Sequence, residues 1–117
     1  MVNFPFGILV MGLGKPTPPE GMVFYNYDDE FDVGLTVKEK MMLFGSVLKN
    51  TGVVLVNLQK VDLSIEEILI LQMAYTNNIP ILGVGEHPSN KFLEEIVTRK
   101  FKTYEETIEH IITHYIL

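Results

Sequence analysis

Cysteine and tryptophan are both absent from this sequence of 117 residues. Without cysteine the chain can form no disulfide, no thiolate zinc site and no cysteine nucleophile. It also lacks any run of about 20 apolar residues, the length that a membrane-spanning helix needs. The first residues carry no cationic stretch of the kind that opens a signal peptide. We therefore expect a cytoplasmic protein that does not enter a membrane.

Basic residues are scarce. Nine lysines and arginines stand against fifteen acidic residues, which gives a formal net charge of −6 at pH 7. Such a charge opposes binding to nucleic acid, whose phosphates are normally held by clustered lysine and arginine. One basic cluster, RKFK at residues 99–102, is interpreted as a solvated turn. The composition therefore predicts no nucleic-acid partner.

The remaining composition is that of an ordinary globular protein. Hydrophobic residues make up 47% of the chain and charged residues 21%, which excludes a disordered tail. The length fits a single domain spanning residues 1–117, because domains usually have about 100 to 150 residues. No internal repeat or linker divides the sequence.

Four short runs are typical of buried strands. Three are continuous stretches of valine, isoleucine and leucine, and the other is rich in aromatic and β-branched residues. Glycine, proline or polar residues bound each run. The predicted strands lie at residues 6–13, 22–27, 52–58 and 79–85.

Four helices are predicted between and after these strands. Three of them begin at an S/T-x-x-E capping box, in which the hydroxyl and the carboxylate satisfy free amides of the first turn. These boxes start at Thr36, Ser64 and Thr103. The predicted helices cover residues 36–50, 64–77, 90–98 and 104–116. The inward stripe of the last helix is formed by Tyr104, Ile108, Ile111, Ile112 and Tyr115.

The alternation of strands and helices predicts the fold class. Buried strands that alternate with helices form a parallel sheet covered on both faces, with right-handed crossovers. We predict a small Rossmann-like or flavodoxin-like three-layer α/β sandwich with four or five mainly parallel strands and about four helices. Ligands of such folds bind beyond the carboxyl ends of the strands. The loops at residues 13–21, 27–34, 57–64 and 85–90 are therefore the candidate binding loops.

Familiar phosphate and metal motifs are incomplete. GLGKP, at the end of the first predicted strand, lacks the third glycine and the following helix of the dinucleotide fingerprint. His110 and His114, with Glu106 one turn earlier, have a spacing that can hold a metal. No convincing fourth ligand accompanies them, so a solvated helix face is the favoured interpretation. We predict no metal and no cofactor.

Several segments from the second predicted strand onward form a recognisable order. They are FYNYDDEF, VVLVNL, a helix that starts at Ser64, AYTNNIPILGVG, and the closing stretch from HPSNKFLEE. Together they resemble the nucleoside 2-deoxyribosyltransferase-like family, whose small Rossmann-like members cleave or transfer the N-glycosidic bond of nucleosides. The resemblance implies a nucleoside or nucleotide ligand and a pocket close to a subunit interface.

The catalytic pattern of that family is broken in this chain. Members commonly carry S-x-G-T-x-x-E at this helix start, and the glutamate attacks the anomeric carbon. Anchored on Ser64, the resemblance places Glu66 at the glycine, Glu67 at the threonine and Ile70 at the nucleophile. Gly52 stands where the family has an aspartate. The resemblance therefore implies lost or much altered catalysis.

Glu66 is the candidate replacement for the missing nucleophile. It lies on nearly the same helix face as Ile70, about 6 Å nearer the N-terminus. Its position in the first turn favours the charged carboxylate, which suits a nucleophile better than a general acid. Glu67 is interpreted as the capping partner of Ser64. The candidate substrate-binding residues are Phe24, Tyr25, Asn57, Ser64 and His87.

The helix at 64–77 is apolar almost all round. A helix of this kind needs burial on more than its sheet-facing side, and in a small protein a second subunit can supply it. We therefore expect a homo-oligomer joined through the segment from Ile65 to Tyr75.

Three functions remain open at this point. The first is a nucleoside- or nucleotide-binding protein that has lost turnover, a pseudoenzyme, and the isoleucine at the nucleophile position favours it. The second is an active N-glycosidic bond hydrolase or transferase that uses Glu66. The third is a non-catalytic protein-interaction module or inhibitor.

Overall fold

A computed structural model describes residues 6–14, 16–27, 34–59, 62–86, 88 and 90–116. Strands and α-helices alternate within these ranges. The strands are β1 (Phe6–Met11), β2 (Met22–Asn26), β3 (Val53–Asn57), β4 (Ile81–Val84) and β5 (Arg99–Phe101). The helices are α1 (Val37–Lys49), α2 (Ile65–Thr76), α3 (Lys91–Ile96) and α4 (Tyr104–Ile111), and α4 continues into a π-helical turn (Ile112–Ile116).

All five strands are parallel and form one sheet in the order β2-β1-β3-β4-β5. Ile8 of β1 lies beside Phe24 of β2 on one side and beside Val53 of β3 on the other. The sequence prediction of a parallel α/β fold of the Rossmann-like or flavodoxin-like kind is therefore confirmed.

Helices cover the two faces of the sheet unequally. Three helices, α1, α2 and α3, pack on one face, where Phe44, Leu71 and Leu93 belong to one buried cluster. The other face is covered by α4, whose Ile108 and Ile111 belong to a second cluster. Successive strand residues point to opposite faces, so each strand must be apolar on both sides. This explains the continuous apolar runs in the sequence.

The predicted capping boxes of α1 and α2 both form. At α1 the amide of Glu39 donates to the Thr36 hydroxyl at 3.1 Å, and the amide of Thr36 donates to the Glu39 carboxylate at 3.0 Å. These hydrogen bonds lower the pKa of Glu39. At α4 the hydroxyl of Thr103 accepts from the amide of Glu106 at 3.2 Å. The cap residues therefore marked the helix starts correctly.

Two expectations near the C-terminus are wrong. The basic segment at residues 99–101, expected to be a solvated turn, forms the edge strand β5, and Phe101 pairs with Val84 of β4. Ile112 was placed on the inward stripe of the last helix, but it is 36% exposed. The α-helix ends at Ile111 and a π-helical turn follows, in which Tyr115 still packs against the cluster of Ile108 and Ile111, as expected.

Within the described ranges, no helix combines the length and the apolar character that a bilayer-spanning segment requires.

Candidate functional site

The order of the strands reverses at β1, and this defines one crevice at the carboxyl edge of the sheet. The chain leaves β1 towards β2 on one side, while β3 lies on the other side. Gly12 and Gly14 follow β1 with φ angles of 77° and 73°, a left-handed conformation that glycine adopts without steric cost. Ligands of open parallel sheets bind at such a reversal. The loops after β1 and β3 are therefore the first place to look for a site.

Asn57 ties these two loops together. Its side-chain amide donates to the carbonyl oxygen of Gly12 at 3.0 Å, and its side-chain oxygen accepts from the amide of Gln59 at 2.9 Å. Asn57 was predicted from the sequence to bind a substrate. In the structure its amide group holds the shape of the crevice, which is a positioning role.

The start of α2 brings Ser64, Glu66 and Glu67 to the same edge. The amide of Glu67 donates to the Ser64 hydroxyl at 3.1 Å, and the amide of Ser64 donates to the Glu67 carboxylate at 3.0 Å. Glu67 is only 4% exposed, so the interpretation of Glu67 as a capping residue is confirmed. Glu66 is half-buried and carries no such capping role. Of the two acids, Glu66 remains the one available to a ligand.

Tyr27 joins this cluster, although the sequence analysis did not select it. Its phenol hydrogen-bonds with the side chain of Ser64, and burial raises the pKa of Tyr27. The nearby carboxylates of Glu67 and Glu66 raise it further, while the Ser64 hydrogen bond and Lys40 lower it. The sequence feature that could have indicated Tyr27 is its position directly after β2, at the carboxyl edge of the sheet.

Ile70 is completely buried in the core between the sheet and the helices α1 to α3. It is the residue that the family resemblance places at the catalytic nucleophile. Its neighbours in that cluster include Met11, Phe44 and Val56, so the position is filled by apolar packing. No carboxylate stands there, and the acid of the same helix that is not used in the cap is Glu66, one turn nearer the N-terminus.

Phe24 and Tyr25 point to opposite faces of the sheet. Phe24 is 7% exposed and packs in the core under α4, whereas Tyr25 is half-buried on the face that α1 to α3 cover. Phe24 therefore contributes to packing, and Tyr25 keeps some access to solvent. The remaining candidate, His87, lies outside the described residues. Glu86, which precedes it, forms an exposed ion pair with Lys102 at 3.4 Å.

Two buried polar atoms lack a hydrogen-bond partner in the described part of the chain. They are the side-chain oxygen of Asn26 and the hydroxyl of Tyr104. Asn26 ends β2 and Tyr104 begins α4, so both stand at the carboxyl edge. Burial, and secondarily the charge of Glu105, raises the pKa of Tyr104. Buried polar groups are normally hydrogen-bonded. Both atoms are closed off from bulk solvent, so neither one by itself marks a binding site.

His110 and His114 form a ring pair near the C-terminus, with centroids 4.5 Å apart. The His110 ring also lies 4.9 Å from that of Phe101. Burial lowers the pKa of His110, and His114 and Arg99 lower it further. Glu106 and His114 are exposed, as expected for a solvated helix face, whereas His110 is half-buried against Phe101 of β5. No group of three or more metal-ligating side chains comes together among the residues that the structure describes.

Clefts also occur away from the carboxyl edge. One of about 430 Å³ lies at the amino edge, where Gly7, Asn50, Gly52 and Tyr115 line it. Another of about 300 Å³ is a groove between α1 and α2. Of the residues that line the first cleft, Gly52 was singled out from the sequence, as the position where the resembled family has an aspartate, and none was predicted to bind a ligand.

The fold and the crevice place this chain among small α/β proteins with a five-stranded parallel sheet. No protein-family model matches the chain, and no curated protein matches it. Among solved structures it is similar to a conserved protein from Enterococcus faecalis V583, with a TM-score of 0.65 and 10% sequence identity. The match covers 93% of this chain and 98% of that chain. At this identity the similarity shows the shared fold alone.

Proposed function

We propose that this chain binds a nucleoside or nucleotide in the crevice between β1 and β3 and does not cleave its N-glycosidic bond. The strand reversal at β1 supports the location, since parallel sheets bind ligands at such points. Gly12 and Gly14 turn the backbone there, and the side-chain amide of Asn57 holds the loop after β3 to the carbonyl oxygen of Gly12.

The charges at the edge favour the sugar over phosphate near α2. A helix N-terminus usually attracts anions, but the first turn of α2 already carries Glu66 and Glu67. Carboxylates accept hydrogen bonds from hydroxyl groups and repel phosphate. A ligand would therefore direct its ribose or deoxyribose hydroxyls towards Glu66.

The proposed loss of turnover rests on the burial of Ile70. Covalent displacement at a sugar needs a carboxylate held about 3 to 3.5 Å from the anomeric carbon. Ile70 has no exposed surface and no ionisable group. This observation carries the proposal that the chain is a pseudoenzyme. The cytoplasmic location expected from the sequence stays part of the proposal.

Glu66 favours a second candidate function, an active N-glycosidic bond hydrolase or transferase. Its side chain is half-buried and close enough to Tyr27 to raise the pKa of that phenol. A carboxylate in this cluster can act as the nucleophile in place of the one that position 70 lacks. The enzyme would release free base from a nucleoside, whereas the pseudoenzyme would bind the nucleoside unchanged.

The exposed surface of α2 supports self-association. Ile65 is 71% exposed, Tyr75 59% and Leu69 37%. Large apolar side chains in one exposed stretch usually mark an interaction site. We therefore include in the proposal a homo-oligomer joined through the segment from Ile65 to Tyr75.

The test is to measure thermal melting with a panel of ribo- and deoxynucleosides and their phosphates, together with chromatography for free base. The pseudoenzyme proposal expects a raised melting temperature with at least one compound and no base release. Base release that Glu66→Gln abolishes would establish the enzyme instead. Glu67→Gln is the matched control, because it weakens the α2 cap and leaves Glu66 in place. If no compound raises the melting temperature, the ligand proposal fails and an interaction module is favoured.

A further inference from the structure

We infer that the chain forms a two-fold symmetric dimer in which α2 packs antiparallel against α2 of a second copy, with Ile65 of each copy seated in the α1–α2 groove of the other. The inference specifies the surface for the proposed self-association. It does not depend on the proposed ligand.

The outer face of α2 carries no charge. Helical periodicity puts residues 65, 69, 72 and 76 on one side, and all four are exposed. They are isoleucine, leucine, glutamine and threonine, whereas the opposite side buries Ile70, Leu71 and Ala74. The charged residues of α2, Glu66 and Glu67, are confined to the first turn. The exposed face of a solvated helix is ordinarily charged, so this face has the character of a contact surface.

The groove beside this face is suited to an apolar side chain. It has a volume of about 300 Å³ and its lining residues are Met41, Leu69, Gln72, Met73, Thr76 and Asn77. None of these side chains is ionisable. Methionines adapt their shape to an inserted group, so an isoleucine can enter without a charge to desolvate.

The projecting side chain and the groove lie at opposite ends of α2. Ile65 is the first residue of the helix and Thr76 the last, which places them about 16 Å apart along the axis at 1.5 Å per residue. In a two-fold symmetric contact both copies use the same surface, so residue i of one copy contacts residue j of the other, and residue j of the first contacts residue i of the second. An antiparallel crossing centred between Leu69 and Gln72 brings each Ile65 against Thr76 of the second copy. The face is therefore complementary to itself.

The charge favours a second copy, and the area sets how far the contact must extend. A standard interface removes about 800 Å² from each partner, which is roughly a ninth of the 7098 Å² accessible surface here. Two adjacent helices of this length present a flat projected face of about 20 by 20 Å, or about 400 Å², so a standard contact must also bury the projecting side chains and surface beside these helices. Each copy carries a net charge of −6, so a contact centred on the uncharged outer face of α2 lets two acidic chains approach with the least repulsion.

Sedimentation equilibrium of the full chain tests the surface. The expected wild-type mass at tens of micromolar is that of a dimer, twice 13.3 kDa. Ile65→Lys puts a charge into the groove of the second copy and should weaken association at least tenfold. Ile112→Lys is the matched control, because Ile112 is a partly exposed isoleucine outside α2, and it should leave the mass unchanged. Circular dichroism checks that both variants fold.

The antiparallel register has its own test. Adding Thr76→Glu to Ile65→Lys places opposite charges together across the two-fold axis, so the double variant should recover much of the lost association. A monomer at several hundred micromolar overturns the dimer altogether. A wild-type dimer that Ile65→Lys does not weaken overturns this surface, and absence of rescue overturns the register. Nucleoside-induced melting shifts, measured on the monomeric Ile65→Lys variant, report the ligand proposal separately.

Discussion

Position 70 shows how one side chain can decide between two chemistries. The isoleucine there has no exposed surface and packs among the apolar residues of β1, β3 and α1. A carboxylate in the same place would lose its hydration without gaining a partner. Restoring the family's glutamate at this position is therefore a test of stability before it is a test of catalysis.

We expect Ile70→Glu to lower the free energy of unfolding by at least about 4 kcal/mol, because it buries an unpaired carboxylate. Ile70→Val should cost only about 0.5 to 1.5 kcal/mol, since it removes one methylene group. Urea denaturation followed by circular dichroism measures both. A stable Ile70→Glu protein that releases base from a nucleoside would contradict the description of position 70 as a closed core site.

His110 makes a second prediction at the level of one residue. Its pKa is lowered below 6.5 by burial, by His114 and by Arg99. As the pH decreases through 6.5, His110 takes up a proton in the unfolded chain before it does so in the folded chain. The free energy of unfolding therefore decreases as the pH decreases. His110→Gln should lose less stability than the wild type between pH 7.5 and pH 5.0 in urea denaturation.

The comparison isolates His110 from other titrations. Glu39, whose pKa is lowered, loses its stabilising contribution as pH falls, but it does so equally in both proteins. His114→Gln removes the second cause of the His110 shift and should give an intermediate result. An identical pH dependence in wild type and His110→Gln would refute this assignment.

The helices and strands differ in how far the sequence predicts them. The starts of α1 and α2 were predicted to the residue, because a capping box needs particular side chains at fixed spacing. The edge strand β5 was missed because it has three residues, two of them exposed and basic, so neither apolar alternation nor a buried run marks it. The π-helical turn after Ile111 was missed because α-helical periodicity assumes an unbroken helix.

The two capping boxes should differ in strength. Ser64→Ala leaves the amide of the nearly buried Glu67 without its acceptor and also removes the hydrogen bond to Tyr27, so a cost of about 1 to 2 kcal/mol is expected. Thr36→Ala, the matched change at an exposed cap, should cost about 0.5 to 1 kcal/mol. Urea denaturation midpoints measure both. Equal costs would mean that burial and Tyr27 add nothing at Ser64.

At the scale of the whole molecule, the layered α/β architecture followed from the alternation of strands and helices, but the strand order did not. The order depends on which strands pair, and hydrophobic pattern does not encode the partner of a strand that is buried on both faces. For the same reason the sequence indicated four candidate loops, whereas the observed strand order reverses at β1, which favours the loops after β1 and β3. Tyr27 entered the candidate site only when the fold placed its phenol beside Ser64 at the carboxyl edge of the sheet.

The dimer gives a prediction for the stability of the whole molecule. If folded chains associate and unfolded chains do not, dilution favours unfolding, and a hundredfold increase in protein concentration stabilises the dimer by about 2.7 kcal/mol. The melting temperature of the wild type should therefore rise with concentration between about 1 and 100 µM, a range chosen to span ordinary micromolar affinities. The rise should vanish in Ile65→Lys and persist in Ile112→Lys. Equal concentration dependence in all three proteins would place the contact away from α2, and a melting temperature independent of concentration in the wild type would mean that the folded chain is stable alone.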